Sequence, residues 1–265
     1  AFMNSHKEGW NFTLRSMATQ LKDGQDLIQS AMKELKDHGY ITAGFSQSFP
    51  GTDPFFDFNV YVVRTDVDGT PIWSRSYSEG ISANFHDYGY KILETEDEGF
   101  LIVGAITQNN YLNVYLLRIS KEGDVKWKKT YGNPNFDETG FDIVKAKDGE
   151  GYAIIGLTTE ADTGNSSDII FIRIDEEGEE LWTRTYGGDT RDEGTSLVAL
   201  EDGFVISAIS KEEDEIQNDI FLARINSVGD TVWTEKVGEQ GLGEEVRDLY
   251  LSEDGEENKT GCPST

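Results

Sequence analysis

Charged side chains recur at regular intervals along this chain and are its first candidates for chemistry. Arginine ends four apolar segments, at Arg64, Arg118, Arg173 and Arg224. Acidic residues recur between these segments, at Asp87, Glu138, Glu193 and Glu244. A guanidinium binds a carboxylate or a phosphate through two parallel hydrogen bonds. The arginines therefore either pair with carboxylates inside the repeat, which we favour, or form a ring that binds an anionic ligand.

Catalytic motifs with a defined spacing do not occur in the sequence. The histidines, His6, His38 and His86, lack zinc-binding spacing, and no serine lies in a nucleophile-elbow motif. Phosphate-binding glycine motifs are also absent, so no nucleotide cofactor is predicted. Paired carboxylates for glycoside hydrolysis stay open as an alternative because the chain has 50 acidic residues, although no single pair stands out.

Irregular acidic loops are the best candidates for ligand or metal contact. In the segment 48–58, Phe55 and Phe56 lie beside Asp53 and Asp57 and form an apolar patch with an acidic rim. The segment 80–88 is a second such loop. The alternative is that these aromatic residues pack against their own blade. No cofactor is predicted, but calcium is an alternative. It would bind at Asp162 and Asp168, which lie in a segment rich in side-chain oxygens.

Tryptophan marks the elements that must position these residues. Subtraction of neighbouring positions gives intervals of 63, 54, 55 and 51 residues for Trp10, Trp73, Trp127, Trp182 and Trp233. Each of the last four tryptophans lies at the end of a segment in which β-branched and aromatic residues precede a polar turn with glycine. A repeat of this length indicates four short antiparallel strands, the content of one propeller blade.

Register within the repeat gives more detailed predictions. A glycine four residues before tryptophan predicts a left-handed turn position at Gly69, Gly123, Gly178 and Gly229. A large apolar side chain fixed in every blade predicts a wedge between blades rather than a lectin surface. Burial on the same strand face is predicted for Tyr77, Tyr131, Tyr186 and Val237. The segment 26–36 has a helical pattern, but its register predicts a strand.

These features predict one all-β propeller domain over residues 1–252, followed by a disordered tail, 253–265. We favour five four-stranded antiparallel blades, of which four are complete and one is partial and shared by the termini. The strands of that partial blade are predicted at Trp10–Arg15 and Glu245–Ser252. Four blades with an additional strand pair, or a piece of a longer chain, are the alternatives.

Charge excludes two classes of partner. The net charge is −27, from 50 acidic and 23 basic residues. Nucleic acids and anionic membranes require a basic surface, so neither is predicted to bind. No apolar run is long enough to cross a membrane, which predicts no membrane insertion.

The repeat pattern GY(I/A)IxG…D(I/V)xxxRxDxxGxxxWxxxYGG…DEG resembles repeats of secreted and surface-anchored β-propeller proteins of bacteria and archaea. The stretch 151–197 carries the resemblance best. It implies an extracellular, cell-surface or periplasmic location and a binding or scaffold module. The turn also resembles, more loosely, quinone-enzyme repeats and the sialidase Asp-box, but Ser120 and Asn226 replace the aspartate in two copies.

We therefore predict a non-enzymatic module that binds a protein or glycan ligand through loops at one end of the propeller. The alternatives are a glycoside hydrolase with paired carboxylates at the channel mouth and a lectin. The predicted ligand-binding residues are the loop residues Asp53, Phe55, Phe56 and Asp57 and the arginines Arg64, Arg118, Arg173 and Arg224.

Overall fold

The protein is an all-β fold, as the sequence predicts. A computed structural model describes residues 31–35, 39–48, 57–78, 86–160, 166–188, 191–211, 218–239 and 242–252. Within these ranges the chain forms sixteen strands and no helix. Consecutive strands pair antiparallel in groups of four, which we call blades 1 to 4.

The strands follow one order in every blade. Blade 1 contains β1 (Ala31–Leu35), β2 (Gly39–Ser48), β3 (Asp57–Asp66) and β4 (Pro71–Tyr77). Blade 2 contains β5 (Asp87–Glu94), β6 (Phe100–Gln108), β7 (Tyr111–Ile119) and β8 (Val125–Tyr131). Blade 3 contains β9 (Phe136–Lys145), β10 (Tyr152–Glu160), β11 (Ser167–Ile174) and β12 (Glu180–Tyr186). Blade 4 contains β13 (Arg191–Leu200), β14 (Gly203–Lys211), β15 (Asp219–Asn226) and β16 (Thr231–Val237).

Glycine turns close the hairpin between the third and fourth strands of each blade. In blade 3 the Gly178 N–H donates to the Asp175 carbonyl at 3.2 Å, and the Asp175 carboxylate accepts from the Glu179 N–H at 2.7 Å. A left-handed backbone is confirmed at the four predicted glycines, with φ of 78° to 86° at Gly69, Gly123, Gly178 and Gly229. Glycine takes this conformation without the steric cost of a Cβ atom.

At the beginning of blade 1 the chain forms a strand, as the register of the repeat predicts, although the local sequence has a helical pattern. Residues Ala31–Leu35 form β1, which pairs antiparallel with β2, so the strand prediction is confirmed over these residues. The predicted C-terminal strand is wrong in form, because residues 242–252 have no regular strand pairing. The predicted strand Trp10–Arg15 and the tail 253–265 lie outside the described residues.

The blades pack face to face in chain order, and the arrangement is propeller-like. Three separate apolar clusters lie between blades 1 and 2, 2 and 3, and 3 and 4. The first strands β1, β5, β9 and β13 contact one another in series, whereas no comparable contact joins the described fourth strands. We call the first strands the inner strands. A fifth blade and a closed ring stay predictions.

Tryptophan packs into each of the three junctions between the four described blades. Trp73, Trp127 and Trp182 are half-buried, and each packs against one of the clusters between blades. The fourth copy differs, because Trp233 is 37% exposed. The predicted burial of Val237 is also wrong, since its side chain is 53% exposed. No described blade follows blade 4, so this face has no described sheet against it.

Candidate functional site

Aromatic side chains form a continuous row at the end of the blades where the inner strands begin. We call this end the mouth, and the aromatic row comprises Phe45, Phe58, His86, Tyr88, Tyr90 and Phe141. Neighbouring ring centroids lie between 5.0 and 6.1 Å apart, mostly edge to face. Such spacing is typical of favourable aromatic pairs. The row therefore runs from blade 1 across blade 2 to blade 3.

Two loops chosen from the sequence meet in this row. Phe58 ends the predicted loop 48–58, and His86 and Tyr88 end the predicted loop 80–88. A parallel bridge joins Phe58 to His86, and their rings lie 5.0 Å apart. The same bridge recurs between Ser167 and Arg191 at the junction of blades 3 and 4. The repeat thus brings the third strand of one blade against the next inner strand at the mouth.

A bulge interrupts the pairing of three of the four inner strands, β5, β9 and β13, with the second strand of the same blade. The pairing register shifts beside Gly89, Gly140 and Gly194. In a bulge, two residues oppose one residue of the partner strand, and the strand bends. The bulged pairs are Tyr90–Lys91, Phe141–Asp142 and Thr195–Ser196. The first residue of the pair is aromatic in blades 2 and 3 and is a threonine in blade 4. The second residue is polar in all three blades.

Polar members of these pairs form a hydrogen-bonded line across three blades. The Lys91 ammonium lies 3.1 Å from the Asp142 carboxylate. The Ser196 hydroxyl donates to the same carboxylate at 2.7 Å and lies 3.3 Å from an Asp248 carboxylate oxygen. Asp142 is buried, whereas the Lys91 side chain is 35% exposed. This polar line also holds the segment 242–252 beside β13, where the Leu249 N–H lies 3.3 Å from the Ser196 hydroxyl.

Tyr90 combines an apolar ring with a hydrogen-bonding hydroxyl and contacts two other members of the row. Its ring stacks on Tyr88 at 6.0 Å and meets the Phe141 ring edge at 5.2 Å. Burial, the nearby Tyr88 hydroxyl and the Glu193 charge raise the pKa of Tyr90 to about 12. The phenol therefore stays neutral at physiological pH, and its hydroxyl can donate a hydrogen bond.

Buried carboxylates lie between the beginning of each of these three inner strands and its bulge. Asp87, Glu138 and Asp192 each lie two residues before the bulge glycine and are almost fully buried. The Glu138 carboxylate accepts from the Asn133 N–H at 3.0 Å, and the Asp192 carboxylate accepts from the Gly188 N–H at 3.2 Å. The predicted equivalence of Glu193 with Glu138 is wrong, because the bulge register aligns Asp192 with Glu138.

Glu138 gives the protein a pH-dependent stability. Burial raises its pKa from the ordinary value of 4.5 to about 7, against the opposing hydrogen bonds from Asn133 and Thr158. Because the folded pKa is raised, the folded state binds the proton more tightly than the unfolded state does. The stability due to protonated Glu138 is therefore complete below pH 4.5 and is lost as pH rises through 7.

We expect Glu138→Gln to remove this dependence. At pH 8 the free energy of unfolding of the variant should exceed that of the wild type by about 1–2 kcal/mol, after allowance for the retained backbone hydrogen bonds. At pH 4.5 the two proteins should differ little. Urea unfolding at both pH values measures this, with exposed Glu150→Gln as the control. An equal difference at both pH values would contradict the assignment.

The predicted arginines lie at the other end of the third strands and have partners inside the fold. Arg173 pairs with Asp148 at 2.9 Å, Arg224 with Asp202 at 2.8 Å, and Arg118 with Asp97. Arg64 donates to the Lys121 carbonyl of blade 2 at 2.9 Å. The favoured pairing with carboxylates therefore accounts for Arg118, Arg173 and Arg224 but not for the Arg64 contact, and a ligand-binding ring of arginines stays a prediction.

The remaining predicted site residues fall in two groups. Asp53, Phe55, Phe56 and Asp162 lie outside the described residues, and of Asp57 only its place at the start of β3 is described. The Asp168 carboxylate is part-buried near Asp192, and burial and the Asp192 charge raise its pKa. Over the described ranges, no group of three histidine, cysteine or acidic residues could hold a metal ion. Calcium at Asp162 and Asp168 stays a prediction.

Sequence reasoning missed Tyr90, Phe141 and the polar line. These residues differ from blade to blade at the same register position, so a search for repeated residues passes over them. The available signal was the pair of residues after glycine in GYK, GFD and GTS, where the first strand of each repeat breaks its alternation.

Comparisons with protein-family models and with curated proteins gave no match. Among solved structures, a GH32 β-fructofuranosidase of Bombyx mori has 13% identity and a TM-score of 0.46 over 76% of this chain. This chain spans only 51% of that enzyme. An endo-arabinase of Bacteroides thetaiotaomicron has 15% identity and a TM-score of 0.47 over 81% of this chain and 82% of that one. Such values are too low to assign either activity to this chain.

Helices are absent from the parts of the chain that the structure covers, and so is any segment of helix long and apolar enough to cross a membrane.

Proposed function

We propose that this protein binds a glycan at the mouth, along the aromatic row. The observation that carries the proposal is the meeting of the row with the polar line on the bulged inner strands. Sugars present apolar C–H faces and rings of hydroxyl groups. A site for them needs aromatic surface beside a few well-placed polar groups. Tyr90 and Phe141 supply the first, and Lys91 and Glu193 can supply the second.

Bulge geometry supports a defined site rather than a general adhesive surface. Tyr90 and Phe141 belong to paired strands, and their rings contact each other, so their positions are fixed before a ligand arrives. Preorganised contact residues lose little conformational entropy on binding. Apart from buried Phe45, the members of the row are half-buried, which also suits a small recognition element better than a broad, flat protein interface.

A glycan array on the purified chain, followed by calorimetry with the best neutral oligosaccharide, tests this proposal. We expect Tyr90→Ala to weaken binding about tenfold, because loss of one aromatic contact costs roughly 1.4 kcal/mol. Tyr250→Ala, at an exposed position outside the row, should leave affinity unchanged. Circular dichroism controls for folding. The proposal fails if no glycan is retained, or if Tyr90→Ala binds as tightly as the wild type.

Glycoside hydrolysis is the second candidate, and one observation favours it. Asp142 and Asp248 contact the same Ser196 hydroxyl, so their nearest oxygens lie no further apart than the sum of 2.7 and 3.3 Å. That limit is below the separation of about 6.5–9.5 Å in inverting glycosidases and is compatible with a retaining pair. The burial of Asp142 and its ion pair with Lys91 favour binding over catalysis. Release of reducing ends during the binding assay would support hydrolysis.

The propeller-like blades also support a proposal for the whole molecule. We propose that it is a five-bladed propeller and that it works outside the cytoplasm, at the cell surface or in the periplasm. The repeated junctions between blades support the first part. The second part follows from the repeat resemblance and from a glycan as ligand.

A further inference from the structure

The C-terminal segment 244–249 makes the contacts of a further inner strand beside blade 4. At the junction of blades 3 and 4, the residue after a loop glycine donates its N–H to the buried carboxylate of the next inner strand. This bond joins Gly188 to Asp192 at 3.2 Å. The Glu239 N–H donates to the Glu244 carboxylate in the same way, at 3.2 Å. Glu244 is therefore the equivalent of Asp192.

A second contact gives the same alignment at the other end of the segment. The Leu197 N–H of blade 4 donates to the Asp142 carboxylate of blade 3 at 3.2 Å. The Leu249 N–H lies 3.3 Å from the Ser196 hydroxyl of blade 4. Each leucine lies five residues after the carboxylate that accepts the loop N–H, so the two contacts agree on one register.

A third contact joins the segment to the third strand of blade 4. The Glu244 N–H donates to the Asn218 carbonyl at 2.8 Å, and Asn218 directly precedes β15. Phe58 and Ser167, at the beginning of β3 and β11, form the bridges to the next inner strands. Three contacts of the repeat thus recur at this segment, although residues 242–252 have no regular strand pairing.

This alignment places Arg247 at the mouth. It lies three residues after the carboxylate that accepts the loop N–H, as Phe141 and Thr195 do in blades 3 and 4. The next residue, Asp248, already belongs to the polar line. Arg247 therefore occupies the register position that is aromatic in blades 2 and 3.

The Arg247 guanidinium is accessible to a ligand. Its side chain is 83% exposed, and Glu245, with which it forms an ion pair, is 51% exposed. Exposed ion pairs contribute little, so a ligand can share this guanidinium at low cost. The planar fork of N–H donors can donate to two neighbouring hydroxyl groups of a sugar. Glu245 and the adjacent Asp248 repel the carboxylate of an acidic sugar, which favours a neutral one.

We propose that Arg247 is a ligand-binding residue of the mouth and donates hydrogen bonds to adjacent hydroxyl groups of a neutral sugar unit. The proposal rests on glycan binding at the mouth, as proposed above. It adds a residue from outside the four blades and names neutral sugars with adjacent hydroxyl groups as the class of ligand.

Calorimetry with the neutral oligosaccharide selected by the glycan array tests this proposal. We expect Arg247→Gln to weaken binding about tenfold. Arg247→Lys should weaken it nearly as much, because an ammonium lacks the planar fork. Lys147→Gln, in an exposed turn at the other end of blade 3, removes the same charge and should leave affinity unchanged. An analogue with a carboxylate on one sugar unit should bind the wild type more weakly than the neutral oligosaccharide does.

The outcomes separate this proposal from the proposed function. Wild-type affinity in Arg247→Gln, together with weak binding by Tyr90→Ala, would overturn the role of Arg247 and leave glycan binding in place. Full affinity in Arg247→Lys, or tighter binding of the acidic analogue, would mean that charge selects the ligand and would also overturn it. A wild-type chain that retains no glycan would overturn both. Unfolding midpoints of the variants control for folding.

Discussion

Arg173→Ala should lower the free energy of unfolding by about 2–4 kcal/mol, because it leaves a cavity among buried side chains and breaks the hydrogen bonds of the guanidinium. The Arg173 side chain is 1% exposed. Its guanidinium binds Asp148 at 2.9 Å, donates to the Tyr152 carbonyl at 3.3 Å and lies over the Phe204 ring of blade 4 at 5.1 Å. The substitution removes all three contacts, whereas the Asp148 carboxylate, whose side chain is 23% exposed, stays hydrated.

Arg224 is the matched control, because it occupies the same place in blade 4. It also binds a turn carboxylate, Asp202, at 2.8 Å, but its side chain is 34% exposed and Asp202 is 70% exposed. Exposed ion pairs contribute little, so Arg224→Ala should cost less than about 1 kcal/mol. Urea unfolding followed by tryptophan fluorescence measures both. Equal losses would mean that the following blade does not determine the strength of the pair.

Much of the fold was predictable because every junction between blades uses the same few positions. Trp127 packs against the turn at Gly178, and Trp182 packs against the turn at Gly229, so tryptophan and glycine keep their spacing along the chain. Hairpins are also local, and a turn glycine with its flanking apolar runs indicates them directly. The same register placed β1 correctly, because pairing with β2 outweighs the helical pattern of its residues.

Candidate site residues were harder to predict because the mouth depends on positions that the repeat does not preserve. One register position is aromatic in blades 2 and 3, as Tyr90 and Phe141, but holds Thr195 in blade 4. A bulge also shifts by one residue which side chains share a face, and it becomes visible only when the partner strand is known. The repeated arginines attracted attention for the opposite reason, since repetition reflects what each blade needs for packing.

Gly156→Ala should lower the free energy of unfolding by about 3 kcal/mol, at the upper end of the cost of overpacking a core. A Cβ atom at this position would lie 1.7 Å from the Thr139 carbonyl oxygen. That obstacle belongs to the backbone of the inner strand β9, so no side-chain rotation can relieve it. Gly188→Ala is the control, because its added Cβ would meet nothing within 4 Å, and its effect should stay within about 0.5 kcal/mol.

Blade 4 explains why this variant should also disturb the mouth. Ala208 holds the place of Gly156 there, opposite Gly194, so an inner strand can accommodate a methyl group when its own bulge is arranged for it. For β9 to accommodate one, its bulge must move, and the bulge carries Phe141 and Asp142. We therefore expect Gly156→Ala to weaken glycan binding under conditions where the variant is fully folded, whereas Arg173→Ala, at the other end of the blade, should not. Unchanged affinity in folded Gly156→Ala would show that the bulge of β9 does not set the geometry of the mouth.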